Sequence, residues 1–320
     1  MPYQLLIDTA LPPTMLEMLG DTCQIHFLKD ALQDEALLAR IDGYLTYGHP
    51  PTDGSLMDRM PNLKTISNFG VGVDHVNLAD ARARNIPVGN TPGFVDGATA
   101  DFTFALLMAV GRNIVIGDHY ARGPQYTAYD PNLWHGQEIY GSTLGIVGMG
   151  RIGKVVAKRA SGFDMTVLYH NRKPDPQAEA ALGVRYAGLN ELLQQSDFVT
   201  LNMPLTPQTR RMIGREQLLL MKPTAYLINV ARGGVLDHDA LVEALQNKWI
   251  AGAAIDVTEP EPLPRDHPLL KMDNLIIAPH LGSATRQSRY QMARRTIDNL
   301  LAGLRGEALM SRVGEYLTST

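Results

Sequence analysis

The most informative part of the sequence is an apolar run followed by a glycine-rich turn, Thr143-Leu144-Gly145-Ile146-Val147-Gly148-Met149-Gly150-Arg151-Ile152-Gly153. Its first five residues form an apolar run typical of a buried strand, and the chain continues as IGKVVAKRA, which is typical of a helix. The glycines between them permit a tight turn, close approach of the backbone to a pyrophosphate, and close packing of helix on strand. Free N–H groups and the helix dipole attract phosphate at such a helix start. The sequence therefore predicts a dinucleotide-binding strand–turn–helix.

The next predicted strand ends at Asn171-Arg172-Lys173. About 20 residues beyond the glycines, an NAD site places an Asp or Glu on the ribose 2′-hydroxyl. No acid stands here, whereas an Arg beside a Lys can pair with a 2′-phosphate, the guanidinium in bidentate fashion. These charges predict a preference for NADP(H), with NAD(H) possible. The alternative is that the two basic residues are simply solvated at a strand end.

Predicted strands alternate with predicted helices on both sides of this turn. Strands are predicted at residues 4–7, 24–27, 43–47, 65–68, 86–88, 143–147, 165–169, 198–201, 225–230, 251–257 and 275–278. The clearest helices are predicted at residues 35–41, 56–60, 152–160, 239–245 (with Asp237 as N-cap) and 284–304. Such alternation is typical of the α/β class with parallel, doubly wound sheets.

Two segments depart from this alternation. Residues 99–110 are apolar on almost every face, so we expect a helix that is covered on all sides and buried between two domains. Residues 123–140 show no clear period and contain Trp134 and three tyrosines, which is too aromatic for an ordinary solvated loop. This stretch either packs on its own domain or contacts a second copy of the chain.

Composition limits the possible partners. The 320 residues are 45% apolar and 19% charged, which suits roughly two globular domains. The net charge of −4 comes without a block of either sign, so neither a nucleic-acid groove nor a polybasic membrane patch is indicated. Cys23 is the only cysteine, which excludes an internal disulfide, and the histidines lack metal-site spacing. No apolar run is long enough to span a membrane, and we expect a cytoplasmic protein with small-molecule partners.

Three loops of the second half each follow a predicted strand, where ligands bind in such folds. They are residues 229–234 (NVARGG), 256–262 (DVTEPEP) and 278–283 (APHLGS). Arg232 can bind the carboxylate of a 2-oxo acid, and His280 can deliver a proton to its carbonyl oxygen. A carboxylate behind the histidine completes the set, and Glu259 and Glu261 are both candidates.

These motifs, in this order and spacing, resemble those of the D-isomer-specific 2-hydroxyacid dehydrogenases over about residues 40–308. Within that family the chain is most similar to glyoxylate/hydroxypyruvate reductases, through GMGRIG, EPEPLPRDHPLL and APHLGSAT. The resemblance implies reduction of glyoxylate or hydroxypyruvate to glycolate or D-glycerate by hydride transfer. The expected NADPH preference rests on the charges of Arg172 and Lys173. Reduction of bulkier acids such as hydroxyphenylpyruvate is an alternative, since packing sets pocket volume. A dinucleotide-sensing binding protein that resembles the family's corepressors is another.

The resemblance also implies a role for each candidate residue. His280 would act as the general acid and base, and Glu261, chosen because it stands directly before Pro262, would bond the other ring nitrogen. Arg232 would bind the substrate carboxylate, together with the backbone N–H groups of Val71 and Gly72. Trp134 would reach the mouth of the substrate site, in its own chain or in the partner's.

The implied cofactor site lies on the turns of the second series. Its members are Thr99, Gly148, Gly150, Arg151, Ile152, Gly153, Asn171, Arg172, Lys173, Pro204, Thr209, Val230, Ala231, Asp256 and Gly282. The chain departs from the family at two places. Asn171-Arg172 replaces the acid of the NAD-using relatives, and Asp101 stands where many relatives have Glu, a small change that we expect to be tolerated.

The resemblance finally implies a flavodoxin-like substrate domain and a Rossmann nucleotide domain. The substrate domain would comprise residues 1–98 and 285–320, interrupted by the nucleotide domain at residues 99–284. The substrate would bind in the cleft between them, which hinge closure would seal from water. A dimerisation arm at about residues 113–142 would build a two-fold homodimer.

Overall fold

The computed structural model of the protein describes residues 1–314. This chain forms two compact units, one of Met1–Val95 with residues 285–314, the other of Asp96–Ala284. The first segment of this domain was expected to end at residue 98, three residues later than Val95. The second segment begins at residue 285, as expected. The expected end of the first domain, residues 315–320, lies outside the described residues.

Twelve strands and thirteen helices follow one another in the described chain. The strands are β1 (Tyr3–Ile7), β2 (Cys23–Phe27), β3 (Gly43–Thr46), β4 (Thr65–Asn68), β5 (Val88–Gly89), β6 (Thr143–Val147), β7 (Thr166–His170), β8 (Arg185–Tyr186), β9 (Phe198–Leu201), β10 (Tyr226–Asn229), β11 (Gly252–Ile255) and β12 (Leu275–Ile277). The helices are α1 (Pro13–Leu19), α2 (Leu28–Ala31), α3 (Glu35–Leu38), α4 (Gly54–Asp58), α5 (Leu78–Ala83), α6 (Asp96–Gly111), α7 (Ile114–Arg122), α8 (Arg151–Ala160), α9 (Pro176–Leu182), α10 (Leu189–Gln195), α11 (Arg215–Leu220), α12 (His238–Gln246) and α13 (Arg286–Leu304).

The first unit is built on a five-stranded parallel sheet with the order β2-β1-β3-β4-β5, the flavodoxin-like order. Strand β4 is buried at every position, as expected for a parallel strand covered on both faces. The last helix, α13, packs on β3 and β4, and it can lie close because Gly43 faces Leu300 and Leu304. Helix α13 therefore belongs to the same core as the first strands.

The second unit is built on a seven-stranded parallel sheet with the order β12-β11-β10-β9-β6-β7-β8. Strand β6 lies between β9 and β7, and the chain proceeds outward first through β7 and β8 and then, on the other side, through β9 to β12, which is the Rossmann arrangement. Helices α10 to α12 enclose one apolar core, which includes Leu192, Leu218 and Leu241. Helices α6 and α8 enclose another on the opposite face. The predicted α/β class with two doubly wound parallel sheets is confirmed.

Most predicted strands lie within one or two residues of the observed ones, and those at 65–68, 143–147 and 198–201 coincide. Strand β8 was missed because two residues carry no readable period. Helix α7 was also missed, since residues 114–122 were expected only as part of the arm. The predicted N-cap of α12 is confirmed, because the Asp237 side chain accepts from the N–H groups of Asp239 and Ala240.

Helix α6 differs from its prediction in two respects. It begins at Asp96, three residues before the predicted start. The prediction missed these residues because Asp96 and Gly97 are not part of the apolar pattern. The expected cover on all sides is wrong, since Gly97, Asp101 and Ala105 are exposed in a narrow stripe four residues apart. Asp101 uses this exposure to pair with Arg159 at 2.6 Å.

No single helix of residues 1–314 is long and apolar enough to cross a membrane. Helices α6 and α7 meet the length and composition test only as a pair, and they are bent by 58°.

Candidate active site

The glycine turn between β6 and α8 has the form that a dinucleotide requires. Gly148 has φ +101°, and a Cβ there would lie 2.6 Å from the backbone nitrogen of Met203. A Cβ on Gly153 would lie 2.3 Å from the Gly148 carbonyl oxygen. Gly150, by contrast, faces open space, and as N-cap of α8 it provides no side-chain cap for the first helical N–H groups. The protein's own packing thus requires the outer glycines, while the middle one leaves room for a pyrophosphate.

The end of β7 lies against this turn. Asn171 accepts a hydrogen bond from the Met149 N–H through Oδ1, at 2.8 Å, so its amide supports the turn itself. Arg172 and Lys173 are exposed, and neither forms an ion pair or hydrogen bond with any residue of the described chain. Two cations thus stand unpaired at the strand end where a dinucleotide places its ribose. Arg151, also predicted here, pairs through its side chain with Asp96 at 2.9 Å.

The loop after β9 also adjoins the turn, because Met203 packs on Gly148. Within it, the Thr209 hydroxyl donates to the Pro204 carbonyl at 2.6 Å and accepts from the Thr206 N–H at 2.8 Å. The structure therefore brings the two predicted residues together, with Thr209 fixing the backbone at Pro204.

Arg232 and Glu261 lie on two loops that pack directly on each other. A Cβ on Gly233 would lie 2.0 Å from the carbonyl carbon of Thr258, so only glycine allows this contact. Arg232 therefore stands on a loop that is locked against the loop carrying Glu261. Its positive charge lowers the pKa of Glu261, which places the two groups in one electrostatic environment.

His280 and Glu261 are joined by a hydrogen bond of 2.7 Å between Nδ1 and Oε1. A carboxylate can only accept, so Nδ1 carries the proton of this bond and Nε2 is left to act on a ligand. Burial alone would raise the pKa of Glu261, but the bond and charge of His280, the Thr258 N–H and Arg232 outweigh it and lower that pKa. The side chains are 38% and 41% exposed, so the pair is accessible to a substrate.

Asp256 holds the backbone of the His280 loop. Its two carboxylate oxygens accept from the N–H groups of Leu281 at 2.6 Å and Gly282 at 2.7 Å. The His280 N–H bonds the Asp256 carbonyl, and His280 itself has φ +58°, an unfavourable conformation for a non-glycine residue. Burial raises the pKa of Asp256, although both N–H groups lower it. Thr99 lies beside Gly282, so these three predicted cofactor residues form one cluster.

Asn229 has a structural role in the site and was not predicted. Asn229 is fully buried at the end of β10, where its Oδ1 accepts from the Ala231 N–H and its Nδ2 donates to the Arg232 carbonyl, both at 3.0 Å. It thereby fixes the loop that carries Val230, Ala231 and Arg232. Its position at a strand end was the available sequence signal.

The two acidic candidates separate clearly. Glu261 bonds His280, whereas Glu259 forms an ion pair with Arg210 at 2.9 Å, on the other side of the loop. Two other histidines of this unit have structural partners: His170 bonds the Ala187 carbonyl, and His267 caps a short 3₁₀ helix.

The other substrate-binding candidates stand apart from these loops in the sequence. Val71 and Gly72 follow β4 in the first unit. Trp134 belongs to the second unit, where its ring lies 5.9 Å from that of Tyr120 on α7. None of the described contacts of Trp134 involves Arg232, Glu261 or His280.

Comparison with known proteins gives a consistent result. A family model for the D-isomer specific 2-hydroxyacid dehydrogenase, NAD binding domain, matches residues 104–282. The chain belongs to this family. Among its relatives, the glyoxylate reductase of Korarchaeum cryptofilum is 45% identical over 88% of both chains. That of Pyrococcus furiosus is 42% identical over 94% of this chain and 92% of its own.

Solved structures agree with this assignment. The NADPH-dependent glyoxylate/hydroxypyruvate reductase of Sinorhizobium meliloti, in complex with NADP and malonate, superposes with a TM-score of 0.87 at 31% identity, over 98% of each chain. This protein is accordingly an NAD(P)-dependent oxidoreductase, and the glycine turn described above fits a nicotinamide dinucleotide.

Proposed function

We propose that this protein reduces glyoxylate to glycolate and hydroxypyruvate to D-glycerate, and that it prefers NADPH as the reductant. The observation that carries the proposal is the His280–Glu261 bond of 2.7 Å, on loops that adjoin Arg232 in the same unit as the dinucleotide turn. The relatives named as glyoxylate reductases support the substrate class.

The chemistry follows from the free ring nitrogen. His280, held through Nδ1, donates the proton on Nε2 to the carbonyl oxygen as negative charge develops there. When bound, the reduced nicotinamide supplies the hydride that forms the new C–H bond at the carbonyl carbon. Glu261 stabilises the protonated ring, and Arg232 with the N–H groups of Val71 and Gly72 binds the carboxylate. In the reverse direction His280 accepts the proton from the hydroxyl group.

The surroundings of the Val71 loop favour small acids over hydroxyphenylpyruvate. Phe69 precedes this loop and is only 4% exposed. Its ring lies 4.5 Å from the Tyr47 ring, with the Arg289 guanidinium 5.7 Å from its centroid. The Phe69 ring is therefore already packed by its neighbours, and neither of its faces is open to stack on an aromatic substrate.

The replacement His280→Ala is expected to lower kcat for glyoxylate by about 10² to 10⁴, with a smaller change in substrate binding, because the positioned proton donor is lost. Steady-state kinetics with saturating NADPH measures this effect.

His26→Ala serves as the matched control, since His26 lies on β2 and bonds only the Gln4 side chain among its described polar contacts. Near wild-type turnover in the His280 variant would exclude this histidine as the acid. Absence of turnover of any small 2-oxo acid by the wild-type protein would refute the proposed reaction.

We further propose that Arg172 and Lys173 bind the 2′-phosphate of NADPH, since both are exposed and unpaired among residues 1–314. The glycine turn, with the backbone of Arg151 and Ile152, holds the pyrophosphate, and Asn171 supports it from behind. The loop of Pro204 and Thr209 and the loop of Val230 and Ala231 complete the cofactor site, together with Thr99 on α6, Asp256 and Gly282. Each Asp256 oxygen has a lone pair left for the nicotinamide amide.

Arg172→Ala should lower the ratio of kcat/KM with NADPH to kcat/KM with NADH by about tenfold or more, since one charge-assisted contact to phosphate is lost. Lys158→Ala, which removes an exposed cation from α8, is the matched control and should leave the ratio unchanged. An unchanged ratio in the Arg172 variant would contradict the assignment.

We also propose a two-fold homodimer built by residues 113–142. The exposed large apolar side chains concentrate in this stretch, where they comprise Ile114, Val115, Tyr126, Tyr129, Leu133, Trp134 and Tyr140. A monomer that exposed them all would carry an apolar patch typical of an interface.

Sedimentation velocity over a dilution series is expected to show a dimer at micromolar protein. Sedimentation as a monomer throughout the series would remove both the dimer and any role of Trp134 in a partner's site.

A further inference from the structure

We propose that Asn68 and Asn90 are positioning residues, which hold the loop Gly70-Val71-Gly72 in the form that binds the substrate carboxylate. The inference rests on the proposed function, because it concerns how that loop is prepared for its ligand. Asn68 is the last residue of β4 and Asn90 directly follows β5, the neighbouring strand, and the two are 0% and 6% exposed.

Every polar atom of the Asn68 side chain is committed to this task. Oδ1 accepts from the Thr46 hydroxyl at 2.9 Å. Nδ2 has two protons, and it donates one to the Gly70 carbonyl and one to the Gly72 carbonyl, each at 3.0 Å. The Gly70 carbonyl also accepts from the Thr91 N–H at 3.0 Å. One buried amide therefore fixes two peptide units of the loop.

Asn90 fixes the peptide unit between them. Its Nδ2 donates to the Val71 carbonyl at 2.8 Å. Its own carbonyl accepts from Asn299 on α13 at 3.0 Å and from the Ser311 hydroxyl at 2.6 Å. The end of the chain thus anchors Asn90, and Asn90 anchors the loop. Three consecutive carbonyl groups are captured by the side chains of two residues.

The capture of the carbonyl groups determines where the N–H groups point. In a planar trans peptide the C=O and N–H bonds point in opposite directions. With the carbonyls of Gly70 and Val71 turned toward the two amides, the N–H groups of Val71 and Gly72 point away from them. Neither N–H donates a hydrogen bond to any residue of the described chain, and Val71 is 38% exposed. Two successive unpaired N–H groups form an anion-binding nest.

Charge next to the loop has the sign that an anion requires. The Arg289 guanidinium lies 5.7 Å from the centroid of the Phe69 ring, directly before the loop. The Phe69 carbonyl can only accept, and it is engaged by His49 Nε2 at 3.1 Å. No carbonyl from residue 69 to residue 72 is therefore left facing a bound carboxylate.

The test compares Asn68→Ala, Asn90→Ala and Thr46→Val with wild type. Thr46→Val and Asn90→Ala each remove a single donor to this network and provide milder changes if Asn68→Ala does not fold. Asn274→Ala is the matched control, because Asn274 donates to two backbone carbonyls, of Leu245 and Ala251, in the other unit. The readouts are KM and kcat for glyoxylate at saturating NADPH, and the dissociation constant of oxamate, an unreactive analogue of a 2-oxo acid, measured by calorimetry with NADP bound.

The loop variants are expected to raise the KM for glyoxylate and the dissociation constant of oxamate by about tenfold or more, with kcat changed less than threefold, because carboxylate binding is lost rather than the proton donor. The Asn274 variant should leave both constants unchanged. Loop variants with both constants within twofold of wild type, or with a loss in kcat alone, overturn the inference, as does wild-type protein that binds no oxamate. Weakened oxamate binding in a protein that turns over no 2-oxo acid would uphold the loop and reject the reductase proposal.

Discussion

Buried amide and carboxylate side chains at the carboxyl ends of parallel strands hold the loops on which the candidate site depends. The Asn229 side chain accepts from an N–H and donates to a carbonyl of the Arg232 loop. The Asp256 carboxylate accepts from two N–H groups of the His280 loop, and the Asn68 amide donates to two carbonyls of the Val71 loop. Buried polar groups need hydrogen-bond partners, and each parallel sheet places the carboxyl ends of its own strands along one edge. The same hydrogen bonds that satisfy these side chains therefore fix the backbone of the loops.

This arrangement determines the chemistry that the loops can perform. His280 is held at φ +58°, an unfavourable conformation. It persists because Asp256 accepts hydrogen bonds from three consecutive N–H groups of the loop, those of His280, Leu281 and Gly282. Gly233 then locks the Arg232 loop against the loop of Glu261, with no room for a side chain between them. The backbone positions from which the imidazole, its carboxylate and the guanidinium project are thus fixed, which is the pre-organisation that the proposed acid–base catalysis needs.

Features that rest on a repeated or ordered sequence pattern, namely the strands and the motif loops, were predicted well. The strand at 143–147 was located to the residue, because a buried parallel strand is a nearly continuous apolar run. The ordered motifs led to Glu261 and His280, which the structure joins. The supporting residues Asn68, Asn90 and Asn229 were not predicted, because a single asparagine at a strand end looks like any turn residue until its partners are known. Helix α7 was missed because its surface carries apolar side chains, which obscures the amphipathic pattern.

The most direct test of this account is a crystal structure of the protein with NADP and oxamate. The account predicts the oxamate carboxylate within hydrogen-bond distance, about 2.7 to 3.2 Å, of the N–H groups of Val71 and Gly72. Asn68, Asn90 and Asp256 should retain their bonds to the loops. A carboxylate bound elsewhere, or loops that released these side chains to receive the ligand, would contradict it.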